Sequence, residues 1–364
     1  MESGKRSVKL YSWNFVDILK GLILVLTCST LVSCAKVSYL TEQGIGQFKI
    51  LYDAKDNQEI LKDPTIKQEH KDKILLIENY KSYFYEYWGR DSSKIYSETT
   101  ILDRDAVTYL VIASPKDKVK AIEECFILAG CFPYLGFFKK SSAISYAKEM
   151  EQKGNETYMR KVLAYSTLGR FNDPILSTFF LYDKFELAET VFHELFHTIL
   201  FIKDEVDLNE NLANFFGKKM LEIYFSSEKD GKDSRKLKKY FEQEKAYREL
   251  SSFISDFGKQ YESQLEKNWS DDGKKSFLDT KFIPGIKDKC VELKLQDHCW
   301  PLRVTWNNAT FAAFKTYEKG QDQIAELLNS HDGSLKELFS YIEKKYQDYK
   351  ETEKEISFEK YLLQ

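Results

Sequence analysis

The sequence predicts an α+β fold: a small, mostly antiparallel sheet joined to a largely helical remainder. Three observations point there. Between residues 97 and 114, β-branched and aromatic residues concentrate in two short runs. Apolar residues recur at helical spacing before that stretch and again after residue 185. Gly and Pro are sparse, 16 and 6 of 364 residues, which excludes collagen-like and low-complexity chains. With 43% apolar and 30% charged residues, the chain can build one large core or two modest ones. Its 54 basic and 57 acidic residues nearly balance, whereas a dedicated nucleic-acid binder carries a basic surplus. No nucleic-acid partner is expected.

The elements follow in order. Lys5, Arg6, Lys9 and Lys20 precede or border an apolar run that starts at Gly21 and ends in Leu31-Val32-Ser33-Cys34. A basic segment before so short an apolar stretch reads as a secretory signal over residues 1–33, not a membrane-spanning helix. Its end resembles a bacterial lipobox, in which cleavage exposes Cys34 for lipidation. The alternatives are an uncleaved anchor, or cleavage elsewhere with Cys34 an ordinary thiol. Each places the protein in the bacterial envelope, as a lipid-anchored protein of the periplasmic face or cell surface in the first case. Losing residues 1–33 shifts the net charge from −3 to −5, so attachment would rest on acyl chains and not on charge. Four further cysteines remain in two close pairs. In an oxidising compartment they suggest disulfides Cys125–Cys131 and Cys290–Cys299, although four cysteines allow three connectivities.

Residues 34–96 form a helical N-terminal part, in which Ile74, Ile77, Phe84 and Trp88 make an apolar stripe and Pro64 separates off a shorter helix. Residues 97–226 carry the sheet and two long helices. Thr99–Leu102 and Ala106–Ile112 read as neighbouring strands, a hairpin about Asp103-Arg104-Asp105. Residues 125–138 read as a stapled loop between short strands, Ser141–Gln152 as a helix and Glu156–Ser166 as a strand. In Phe171-Asn172-Asp173-Pro174, Asp or Asn can cap a helix that Pro begins. The two long helices are Phe185–Ile202 and Leu208–Phe225, joined by the acidic link Asp204-Glu205-Val206-Asp207. Residues 227–364 form a helical C-terminal part, where Leu250, Phe253, Ile254, Phe257, Tyr261 and Leu265 mark a solvated helix on a core.

The chemistry concentrates in His193-Glu194-Leu195-Phe196-His197. Residues four apart share one helical face, so both imidazoles can hold one metal. The glutamate between them can take a proton from a water that the metal activates. The chain has five histidines, and two of them fall at this spacing. Phe192, Leu195, Phe196, Ile199, Leu200 and Phe201 make the helix apolar almost all round, so Glu194 needs a partner if buried. A core helix with hydrogen-bonded histidines and a surface glutamate is the plainer alternative.

A zinc site requires a third protein ligand and an open position. Thirteen residues after His197 stands Asn209-Glu210-Asn211-Leu212-Ala213, which resembles the Asn-Glu-x-x-(Ser/Ala) motif of gluzincin metallopeptidases. By that resemblance Glu210 is the third ligand. Asn214 stands where thermolysin-like members carry an aspartate that orients a ligand histidine. A broader resemblance, to a family of bacterial aminopeptidases with many lipoproteins among them, covers most of the mature chain. It rests on Ser33-Cys34, Tyr39–Gln47, Gly130–Phe138, Tyr165–Thr178, His193–His197, Asn209-Glu210 and Asn307–Tyr317. It implies a gluzincin-like fold, a Zn²⁺ cofactor, a peptide or protein substrate, and Glu194 as general base. Tyr165 and Tyr317 are candidate donors to the oxyanion. Asp173, Asp204 and Glu205 are candidates for binding a substrate's free amine. The competing class is a non-catalytic envelope lipoprotein that uses such a fold to bind peptides or proteins.

Overall fold

The structure, a computed structural model, describes residues 36–126, 130–164, 167, 172–203, 205–226, 234–265, 269–315, 321–351 and 356–363. It is an α+β fold in which helices predominate and strands are short. Helix α1 covers 36–52. Strand β1 (Lys55–Asp56) leads into α2 (Asn57–Lys62), whose first turn is capped by the Asp56 carboxylate accepting from the Gln58 N–H. Helix α3 (Gln68–Trp88) buries Ile74, Ile77, Tyr80 and Phe84 and ends at Gly89, which adopts the left-handed conformation. The predicted N-terminal helical part therefore holds three helices and one short strand.

The strands are β2 (Glu98–Thr100), β3 (Thr108–Pro115), β4 (Glu124–Phe126), β5 (Gly130–Phe132), β6 (Leu135–Phe137), β7 (Asn155–Val162) and β8 (Ile175–Leu176), with α4 (Lys140–Gln152) before β7. Among the described residues they make three small sheets, where the sequence suggested one. The largest, in order β6-β3-β7, is antiparallel, and β3 pairs with β7 from Thr108↔Val162 to Pro115↔Asn155. The expected hairpin between residues 99 and 112 does not form. Instead β2 pairs antiparallel with β1 and parallel with β8, in a different sheet from β3. Alternation of residue types marks a strand but carries no information about a partner 76 residues away, as Ile175 is from Thr99. The stapled segment is the two-stranded β4–β5 ribbon, with Cys125 opposite Cys131 and a disulfide between them. Strand β7 ends at Val162, short of the expected Ser166, and residues 165–166 lie outside the described ones. Asp173 leads into β8, not into a helix. Its carboxylate accepts from the Thr167 N–H and hydroxyl.

The remaining helices are α5 (Lys184–Ile199), α6 (Val206–Ser226), α7 (Ser234–Leu265), α8 (Asp271–Phe277), α9 (Ile283–Glu292), α10 (Asn308–Lys315), α11 (Gln321–Ser330), α12 (Leu335–Lys350) and α13 (Phe358–Leu362). Among the described residues, two large apolar cores result, with two smaller clusters on the faces of the β6-β3-β7 sheet. One is built on α3, α5, α6, α11 and α12, with Phe196 stacked on Phe216 at 4.5 Å between ring centroids. The other gathers α7 to α10 around Tyr261, Phe282, Trp306 and Phe311, and holds the Cys290–Cys299 disulfide. Both predicted disulfide pairings are present.

Candidate metal centre

Helix α5 starts at a capping box: the Asp183 carboxylate accepts from the Phe185 and Glu186 N–H groups, and Glu186 accepts from the Asp183 N–H. That fixes the helix start. Beyond it, Leu187, Ala188, Val191, Phe192, Leu195 and Phe196 are sealed in the first core, so the helix cannot roll about its axis. The face that remains, Glu189, His193 and His197, looks at α6.

The two helices run antiparallel in one register. His197 faces Glu210, His193 faces Asn214, and Glu189 faces Lys218. Gly217 makes the approach possible. A Cβ there would stand 3.1 Å from the His193 amide nitrogen and 3.3 Å from the Glu189 carbonyl oxygen, both backbone atoms of α5. The register is set at the connection. Buried Asn209 accepts from the Ile202 N–H and donates to the carbonyls of Ile202 and Glu205. This ties Ile202 and Glu205 to the first turn of α6, where the next residue, Glu210, faces the histidines.

Three donor atoms converge. The Nε2 atoms of His193 and His197 are 3.3 Å apart, and the Glu210 carboxylate oxygens lie 3.4 Å from the first and 3.6 Å from the second. A tetrahedral zinc bound at about 2.0–2.1 Å requires donors separated by about 3.3–3.4 Å. The two imidazole nitrogens match that separation, and each approaches a different Glu210 oxygen, Oε2 for His193 and Oε1 for His197. Among the described residues these three side chains form the one cluster of potential metal ligands, with one ligand atom from each within 4.8 Å of the others. The His197 side chain is 1% exposed and that of Glu210 49%, so the centre is walled on the α5 side and open to solvent on the α6 side.

Electrostatics match this arrangement. Burial opposes charge on His193, but hydrogen bonding to Glu210, the charges of Glu194 and Glu210, and the Asn214 amide outweigh it and push its pKa up. Burial, then repulsion from His193, pushes His197 down to about 4, so it stays neutral and able to ligate. Burial favours the neutral form of Glu210, yet the two imidazoles hold its carboxyl below the usual range. Asn214 therefore supports His193. The Nδ1 of His197 is buried with no hydrogen-bond partner among the described residues. Glu194 is buried. Burial, then the charges of Glu194 and Asp173, raises the Tyr96 phenol, and burial, then Glu186 and Glu194, pushes Tyr182 up to about 12.

The other predicted site residues divide. Tyr165, Tyr317, Cys34 and Asp204 lie outside the described residues. Glu205 accepts from the Phe358 N–H at the start of α13, and Asp173 holds Thr167, so each has a structural partner. Gly217, Tyr96 and Tyr182 were not singled out from sequence. Gly217 carried a usable signal, since it lies two helical turns from Glu210 on the same face.

The family described as "Putative aminopeptidase" matches residues 38–357. The chain belongs to that family. The match takes in both helices of the centre and nearly all of the fold described above. A search of curated proteins and a search of solved structures each give no match. Membership supports a peptidase in general terms.

Proposed function

We propose that this protein is a zinc-dependent aminopeptidase of gluzincin type, held to the bacterial envelope by lipid on Cys34. The observation that carries the reading is the convergence of His193, His197 and Glu210 at tetrahedral spacing, with buried Glu194 beside them on α5. These three residues would hold the ion. When bound, zinc supplies Lewis acidity, which acidifies water and polarises a peptide carbonyl.

The protein's own residues do the rest. Glu194 accepts the proton of the attacking water as its oxygen adds to the carbonyl carbon. It then donates that proton to the amide nitrogen as the C–N bond breaks. The apolar residues around it exclude bulk water and keep the proton in this exchange. Asn214 holds the His193 ring in the orientation that presents Nε2. The open side at Glu210 leaves room for an extended peptide. No described helix is long and apolar enough to cross a membrane, so attachment falls to the N-terminal segment.

The test is a timed digest of unrelated peptides followed by intact mass. Stepwise loss of N-terminal residues, abolished by a chelator and restored by zinc, is the expected outcome. Internal cuts would make the enzyme an endopeptidase. Undigested peptides from zinc-loaded protein would leave the binding-module reading in its place.

A further inference from the structure

Helix α1 has two faces of different character. Tyr39, Gln43, Gly46 and Ile50 share one. Tyr39 packs on Phe126 and Phe137, and the Gln43 amide donates to the Gly136 carbonyl. Ile50 is buried in the first core, and its carbonyl accepts from the Thr100 hydroxyl. At Gly46 a Cβ would stand 2.2 Å from the Phe138 ring, so the helix seats on the sheet without a gap. The helix is therefore fixed to the body along its length.

The opposite face carries Val37, Leu40, Ile45, Phe48 and Tyr52, at helical spacing and between 50% and 76% exposed. Thr41 and Gly44 complete it, and no charged residue interrupts it. Phe48 and Tyr52 stack at 5.8 Å, one turn apart. Rigid attachment on one side with an unbroken apolar stripe on the other is costly in water.

The position of this stripe names its occupant. Described chain begins at residue 36, and the segment before it holds the apolar run 21–32 and Cys34. Val37 is three residues beyond Cys34, a reach of at most about 10 Å. Lipid on Cys34 and an uncleaved apolar anchor both bring the start of α1 to the bilayer. Beside the stripe, a cavity of about 460 Å³ that Ile45 lines carries both signs of charge, Lys49, Arg104, Lys139 and Lys140 against Glu42, Asp53 and Asp103, so binding there rests on the apolar stripe and not on net charge. We infer that α1 lies flat on the membrane, its Val37–Tyr52 face sunk at the headgroup boundary. The body is then pinned to the surface in a fixed orientation and does not swing on a flexible tether. The inference rests on the proposed membrane attachment of the N-terminal segment and not on the metal centre or peptidase activity.

The test uses the full chain in vesicles of phosphatidylethanolamine and phosphatidylglycerol containing a photoactivatable acyl chain, with adducts mapped by mass spectrometry. Adducts are expected on the peptide holding Ile45, Phe48 and Tyr52, and not on the peptide holding Phe137 and Phe138. Replacing the three by Asn (Ile45→Asn, Phe48→Asn, Tyr52→Asn) should cut labelling of that peptide at least tenfold while the chain stays with the vesicles. Wild-type chain that sediments with vesicles but carries no adduct on residues 36–52 would overturn the inference. So would a crosslink joining α1 to α1 of a second copy, or a chain that does not associate with vesicles. The wild-type labelling pattern decides the matter even if the triple variant fails to fold.

Discussion

Glu194 and Glu210 are both carboxylates at the candidate metal centre, yet their surroundings suit them to the different roles proposed above. Glu210 is half-exposed and lies within 3.6 Å of both imidazole Nε2 atoms, which is the position of a ligand. Glu194 is buried and is not one of the three residues of the ligand cluster. Replacing Glu194 by Gln preserves shape and hydrogen-bonding capacity but removes the proton acceptor. The variant should keep its metal and lose about 10²- to 10⁴-fold in kcat, read by steady-state kinetics beside metal analysis. Glu210→Ala should lose metal and activity together, because two imidazoles alone do not make a closed zinc site. His193, Glu194 and His197 were legible in the sequence because their relation spans one helical turn. Glu210 was legible only through its resemblance to a known motif, since no periodicity links the two helices. That Asn214 stands beside a ligand histidine was legible through the same resemblance, but that this histidine is His193 and not His197 was not. It depends on which ring the register of α5 and α6 brings opposite.

The functional unit at the next scale is the pair α5–α6, and its precision depends on two residues that touch no ligand position. Asn209 satisfies three backbone groups in the connection. Asn209→Leu would bury them unpaired at a cost of about 2 kcal/mol, with weakened zinc retention because Glu210 follows directly. Gly217 offers a test of sign. At an uncrowded helical glycine, Ala raises stability by about 1 kcal/mol. Here the added Cβ meets backbone of α5 that cannot move away, so Gly217→Ala should lower both Tm and metal affinity. A rise in Tm would show that the helices are less closely packed than 3.1 Å implies. Helices in this protein were readable from local pattern, and α4, α5, α6 and α7 appear near their expected places. Strand pairing was not. The parallel contact of β2 with β8 joins Thr99 to Ile175, and its partner choice is set by packing of the whole chain.

At the scale of the described molecule, the two larger apolar cores differ in what they hold. The first surrounds the candidate metal centre, while the second, with α7 to α10, contains the Cys290–Cys299 disulfide. Replacing both of these cysteines by Ala should cost about 2–3 kcal/mol, measured by denaturant unfolding, and leave metal content unchanged. The family match spans both cores, so they belong to one inherited unit. The α+β class was legible from composition and periodicity. The division into three small sheets was not, because each strand is only two to eight residues long and so carries little pattern.

The central claim is that His193, His197 and Glu210 bind one zinc on which Glu194-dependent hydrolysis relies. It is tested most directly by metal analysis and peptide hydrolysis on the same preparations of wild-type protein and the Glu194→Gln variant. About one zinc per chain is expected in both, with turnover only in the wild type. Protein that takes up no zinc when the ion is supplied, or a Glu194→Gln variant that turns over at the wild-type rate, would contradict it.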